Sequence, residues 1–202
     1  MSSDEKAEKL NWSDVPVPQS TISVYEAIHR RRGAWKLQDR AVPRKVVQRL
    51  LDTAVWAPNH RMTEPWRFVV MEKDSPLRQR LGQLVHDTML AELDEARADG
   101  YRAKVVDPPV VTYVYSLHGP DEFVAKENYA SVVMAIQNMA LAGVAEGLAV
   151  TLETGKVTRV PGLAGLFEAG GDWDMVGMLA IGYPDEPSAS SRTPAEHFVT
   201  WG

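Results

Sequence analysis

The chain has no cysteine among its 202 residues. Disulfides, thiolate metal sites and cysteine nucleophiles are thereby excluded. It also lacks a long hydrophobic run. The most apolar stretch, Met139 to Val150, is too short to span a bilayer and contains Glu146. Positive charge is not in surplus: 22 Lys and Arg stand against 27 Asp and Glu, a net charge of −5. Nucleic-acid binding would therefore need a local basic patch. Familiar catalytic spacings are missing too. No Gly-x-Gly-x-x-Gly loop follows a first strand, and no Walker-type loop or Gly-x-Ser-x-Gly elbow occurs. The five His show no recognisable metal spacing. Hydrolase and kinase chemistry have no visible support. The N-terminus is polar and lacks an apolar core segment, so no secretory signal is expected and a cytoplasmic protein is the default.

What is present is globular composition, 45% hydrophobic and 24% charged. The length suits one domain with a single core. Residues 1–20 read as a flexible arm containing Val15-Pro-Val-Pro, and residues 21–202 as the folded domain. Ser23 with Glu26 three residues on resembles a capping box, opening a helix that stops near Gly33. A second helix begins at Pro43, carries Val46, Val47, Leu50 and Ala54, and stops before Pro58. Trp66 to Met71 reads as a strand. A third helix starts at Ser75-Pro76, and its charged tail, Glu92 to Gly100, reads as exposed. Pro108 to Leu117 is a β-branched strand. Glu127 to Gly147 is a helix apolar on every face, which places it in a core or an interface. Ala149 to Leu152 and Met175 to Tyr183 are further strands, separated by a short helix over Val160 to Ala169. His197 to Trp201 is expected as a short extended strand. This mixture fits an α+β layer fold.

Three stretches could carry chemistry. The cluster His29-Arg-Arg-Arg32 before Gly33 is either a solvated helix end, an anion site with close backbone approach, or a nucleic-acid patch. The polar loop Pro58 to Pro65 packs Asn59, His60, Arg61 and Glu64 between two prolines, where loops carry function on a rigid scaffold. The turn Leu152-Glu153-Thr154-Gly155 leaves a strand directly after the apolar helix, a usual place for a ligand.

Together these pieces resemble the nitroreductase family. Ile28-x-x-Arg31-Arg32-Gly33 is similar to its Ile-x-x-Arg-Arg-Ser opening. Ala54-x-x-Ala57-Pro58 with Pro65-Trp66-x-Phe68 resembles Ala-x-x-Ala-Pro … Gln-Pro-Trp-x-Phe, and Ala180-Ile-Gly-Tyr-Pro184 resembles its late strand. The likeness is nearest to small bacterial NAD(P)H nitroreductase-like members, whose Ala-Pro-Asp-His stands here as Ala57-Pro58-Asn59-His60.

The resemblance implies an α+β homodimer, helices around a small mixed, largely antiparallel sheet, with FMN sites across the dimer interface. It implies that Arg31, Arg32 and Gly33 hold the FMN phosphate and nearby ring edge. His60 would contact flavin from the partner subunit, and Leu152, Glu153, Thr154 and Gly155 would line the other side of the ring. Ala142, Gly143, Val144, Ala145, Glu146 and Gly147 match a segment associated with nicotinamide-nucleotide binding. The implied cycle is ping-pong: NADH or NADPH reduces the flavin, and a nitroaromatic, quinone or activated alkene is reduced in turn. The flavin supplies the redox chemistry and the protein supplies binding and electrostatics. Four positions depart from the family's pattern: Gly33 for Ser, Met62 and Glu64 in the polar loop, and Glu153 where relatives carry Arg. These departures leave a second reading open, a flavin-handling protein without efficient turnover. Arg30 to Arg32 leave a third, a nucleic-acid module.

Overall fold

The computed structural model describes residues 9, 11, 13, 15–186 and 189–202. Much of the expected N-terminal arm lies outside the described residues. Val15 to Pro18 border an apolar groove against Trp56.

Six α-helices and four strands follow in the order α1 (Val24–Arg30), α2 (Arg44–Ala54), β1 (Trp66–Glu72), α3 (Pro76–Leu90), α4 (Glu95–Val106), β2 (Val110–Leu117), α5 (Glu122–Ala145), β3 (Ala149–Glu153), α6 (Leu163–Leu166) and β4 (Trp173–Gly182). The sheet order is β1-β2-β4-β3. All three pairings are antiparallel, so the α+β expectation holds while a mixed component is absent among the described residues.

The sheet separates two apolar clusters. One joins α2 and α5 to Val110, Val114 and Leu179. The other joins α3 and α4 to Val111, Tyr113 and Met178 on the opposite face. Alternation along β2 sends successive side chains to the two clusters, and both faces are covered. That is why β2 reads as an unbroken apolar run. β1 lies at the sheet edge and is only half buried.

Local signals set most boundaries. Ser23 caps α1 by accepting the Glu26 N–H at 3.1 Å, but the helix ends at Arg30, short of Gly33. α5 starts at Glu122, five residues earlier than its apolar pattern, because Asp121 caps it by accepting the Val124 N–H at 2.9 Å.

Two expectations are corrected. The charged tail after α3 is not all solvated: Asp94 caps a separate helix, α4, that buries Ala98 and Val105. Its apolar stripe is too short to show as periodicity. His197 to Trp201 does not form a strand. Ala195–Phe198 is a 3₁₀ turn, and Trp201 is 90% exposed with no strand to pair against.

α5 is not buried all round within one chain. Val132, Ala135 and Met139 face the core, while Tyr129, Val133 and Met134 are exposed beside Val24, Tyr25 and Ile28 of α1.

Candidate functional site

α1 stops because the backbone of Arg31 turns out of helical geometry, to φ −57° and ψ 117°. The chain then crosses β3. Thr151 on β3 fixes it there: its hydroxyl accepts the Ala34 N–H at 2.9 Å and donates to the Ala34 carbonyl at 3.2 Å. A Cβ on Gly33 would lie 3.1 Å from Thr151 Cγ2. The loop can sit this close because residue 33 has no side chain, which explains the departure from the family's Ser. Further on, Lys36 to Gln38 pair with the end of β4, through Gln38 N–H to the Tyr183 carbonyl at 2.9 Å and Asp185 N–H to the Lys36 carbonyl at 3.1 Å.

This arrangement brings two of the predicted stretches together. Arg31, Arg32 and Gly33 face Leu152, Glu153, Thr154 and Gly155 across one open groove of about 670 Å³. That is a normal size for a cofactor site. Arg31 makes no side-chain hydrogen bond or ion pair among the described residues. Arg32 donates from Nη1 to the Arg31 carbonyl at 2.7 Å, but its Nε is buried without a partner. A buried guanidinium N–H left unsatisfied is costly, and an anionic ligand oxygen would satisfy it.

Glu153 is not a free negative charge. Its carboxylate lies 3.2 Å from Lys104 Nζ on α4, with the side chain 18% exposed. The net charge of the groove is therefore positive. An FMN phosphate fits this donor set: two unengaged guanidinium edges, a glycine for close approach and a compensated carboxylate.

Sequence reasoning missed four contributors. Trp35 and Arg192 line the same groove, Thr151 holds its floor, and Lys104 compensates Glu153. Arg192 donates to Ser190 Oγ at 3.1 Å and the Ser191 carbonyl at 2.7 Å. Nothing in its Ser-Ser-Arg setting marks it as a groove residue.

The stretch Ala142 to Gly147 forms the last turn and cap of α5. Gly143 packs so tightly on Val150 that a Cβ would come within 2.9 Å. Gly147 takes φ 74°, and the Leu148 N–H returns to the Gly143 carbonyl at 2.7 Å, the usual way to close a helix C-terminus. Glu146 accepts two hydrogen bonds from Arg49, at 2.6 and 2.8 Å, which hold its carboxyl below the ordinary range. Val144 and Gly147 do line a second groove, of about 360 Å³, with His29, Arg30 and Arg32. Ala142, Gly143, Ala145 and Glu146 do not line it.

His60 is placed elsewhere. It sits in a 3₁₀ turn, His60–Met62, with Nδ1 2.7 Å from Glu127 Oε1 near the start of α5. Val144 marks the other end of that helix. At 1.5 Å rise per residue the two ends are roughly 25 Å apart. Within one chain, then, His60 does not line the arginine groove. Met62 and Glu64 are exposed on the same loop.

This architecture recurs in known proteins. The "Nitroreductase-like Family Protein from Bacillus cereus" superposes with a TM-score of 0.78 at 26% identity, covering 92% of this chain and 98% of that one. The FMN and NADPH-dependent nitroreductase NfnB of Sphigopyxis shares the fold with a TM-score of 0.74 at 20% identity, covering 90% and 99%. "Putative NAD(P)H nitroreductase YfhC" of Bacillus subtilis is 26% identical over 84% of this chain and 89% of its own length. Residues 28–183 match the model of the nitroreductase family, the span from the end of α1 to the end of β4, and this chain belongs to that family.

Proposed function

We propose that the protein is an FMN-dependent NAD(P)H oxidoreductase that works as a homodimer, with one flavin at each end of the interface. One observation carries this reading. The fold sets Arg31, Arg32 and Gly33 opposite Leu152 to Gly155 across a single groove, and Arg32 Nε is buried there without a partner. The cofactor named for the related NfnB is FMN, with NADPH as reductant. Bound in the groove, FMN would supply hydride transfer between NADH or NADPH and a small acceptor such as a nitroaromatic, quinone or activated alkene.

The chain's own residues bind, orient and compensate charge. Arg31, Arg32 and Arg192 hold the phosphate end and favour negative charge nearby. Thr151 keeps the Gly33 backbone within reach. Thr154 and Gly155 follow the last paired residue of β3, so they meet the ring from beyond the strand. Trp35, 86% exposed at the rim, offers a flat face to an aromatic acceptor. Residues 142–147 touch the nicotinamide nucleotide only through Val144 and Gly147.

The exposed apolar face of α1 and α5 supports the dimer. An unbroken patch of this kind marks an interaction surface, and a second copy seated on it would let His60 of one chain reach the groove of the other. The competing idea of a flavin binder without turnover rests on Glu153, whose charge Lys104 compensates. The test is direct. Purified protein should be yellow or take up FMN, and NADPH or NADH should bleach the bound flavin in stopped flow. A colourless protein that takes up no FMN on titration rejects the reading, and bound but unreactive flavin favours the binder.

A further inference from the structure

Four described non-glycine residues have positive φ, and three of them crowd one loop: Arg61 at 62°, Met62 at 51° and Glu64 at 49°. Such backbone is disfavoured for L-residues and persists only where its surroundings fix it. One side chain supplies most of that fixing. Asn59 Oδ1 accepts the Glu64 N–H at 2.7 Å, closing the loop across the strained residues. Its Nδ2 donates to Thr63 Oγ1 at 3.0 Å and to Ser131 Oγ at 3.4 Å.

The partners determine which way this amide points. Thr63 Oγ1 donates its own proton to Asn128 Oδ1 at 2.7 Å, and Ser131 Oγ donates to the Glu127 carbonyl at 3.0 Å. Both hydroxyl protons are committed to α5, so both hydroxyl oxygens can accept from Asn59. A carboxylate at position 59 would still accept the Glu64 N–H. It would also set lone pairs against the oxygens of Thr63 and Ser131. The chain therefore needs the amide here, although Asp is its near isostere.

The next residue along is His60. Glu127 engages its Nδ1, which leaves Nε2 as the ring nitrogen open to a ligand. We propose that Asn59 is a positioning residue: its carboxamide pins the strained loop 60–64 to α5 and so sets where His60 presents Nε2 to the partner subunit's flavin. This rests on the reading of the arginine groove as the flavin site.

A double-mutant cycle on FMN affinity, read by flavin fluorescence, tests it together with hydrogen exchange at the Glu64 amide. His60→Ala and Asn59→Ala should each weaken FMN about tenfold, the scale of one strong hydrogen bond. The double variant should be no weaker than His60→Ala alone, because Asn59 acts through His60. Asn59→Asp should resemble Asn59→Ala. The Glu64 amide should exchange faster in both Asn59 variants and stay protected in His60→Ala, which a general loss of stability would not produce. Full FMN affinity in Asn59→Ala beside a weakened His60→Ala overturns the proposal alone, as do additive losses in the double variant. Full affinity in His60→Ala overturns the placement of His60 at the flavin and the proposal with it, so the two failures are told apart by that single variant.

Discussion

Arg78 and Arg32 both lean on backbone carbonyls, yet one is saturated and the other is not. Arg78 is fully buried. Its Nε donates to the Val105 carbonyl at 2.9 Å, Nη1 to Pro109 at 3.2 Å and Met71 at 3.4 Å, and Nη2 to Pro108. It ties the end of α4 and the start of β2 to β1. Burial lowers its pKa to about 10, while Asp107 and Asp74 act in the opposite sense. Arg32 keeps a buried Nε unpaired at the edge of an open groove. A buried cation whose donors are filled by its own chain is architecture. One whose donors stay open beside a cavity is prepared for a ligand.

The largest expected effect comes from breaking the saturated site. Arg78→Met strands several buried carbonyls, each costing about 1–3 kcal/mol when left unsatisfied. We expect a loss of about 3 kcal/mol or more in urea unfolding, with the FMN affinity of the remaining folded protein unchanged. An unfolding midpoint equal to the parent's would show that Arg78 is not structural. The open site should respond the other way. Arg31→Ala removes a charge-assisted hydrogen bond worth roughly 1.5–3 kcal/mol, so FMN should bind about tenfold more weakly or worse. Its unfolding free energy should stay within about 0.5 kcal/mol. Unchanged FMN affinity would refute the assigned role.

The two arginine sites also differ in how far the sequence reveals them. Arg31, Arg32 and Gly33 are adjacent, and Leu152 to Gly155 form one turn, so a family motif can carry both. That the two meet is a fact of packing. The bond that joins them, Thr151 to Ala34, spans 117 positions, and Lys104 reaches Glu153 across 49. No local pattern encodes such pairs. Arg78 reads as an ordinary surface arginine of α3 because the carbonyls that hold it belong to residues about 30 positions away. α4 was missed as a helix for a related reason: its burial rests on few apolar residues. α5 shows the reverse. Its apolar faces are legible, but only the fold tells which face the core takes and which is left exposed.

Thr151 offers a sharper cut between holding and binding. It touches the loop backbone and lies under the groove, so Thr151→Val should affect both properties modestly. Two neutral hydrogen bonds contribute about 0.5–1.5 kcal/mol each, which sets the expected loss in stability. FMN affinity should fall severalfold, and Thr151→Ser, which keeps the hydroxyl, should restore most of it. Equal behaviour of the Val and Ser variants would mean that the methyl contact with Gly33, not the hydroxyl, seats the loop.

The smallest effect belongs to the ion pair that closes α5. Arg49 holds the Glu146 carboxyl below its ordinary range, chiefly by hydrogen bonding. A group whose folded pKa is depressed stabilises the fold above its unfolded pKa, near 4.3 for Glu, and loses that contribution as pH falls through the folded value. Arg49→Met should therefore lower the urea midpoint slightly at pH 7, and the gap to the parent should close as pH drops well below about 4.3. Because the pair is partly exposed, added salt should narrow the gap at pH 7 as well. FMN binding should not respond, since Glu146 lies outside the lining of both grooves that Arg32 borders. A drop in FMN affinity would move the end of α5 from the saturated class to the open one and return residues 142–147 to the binding site.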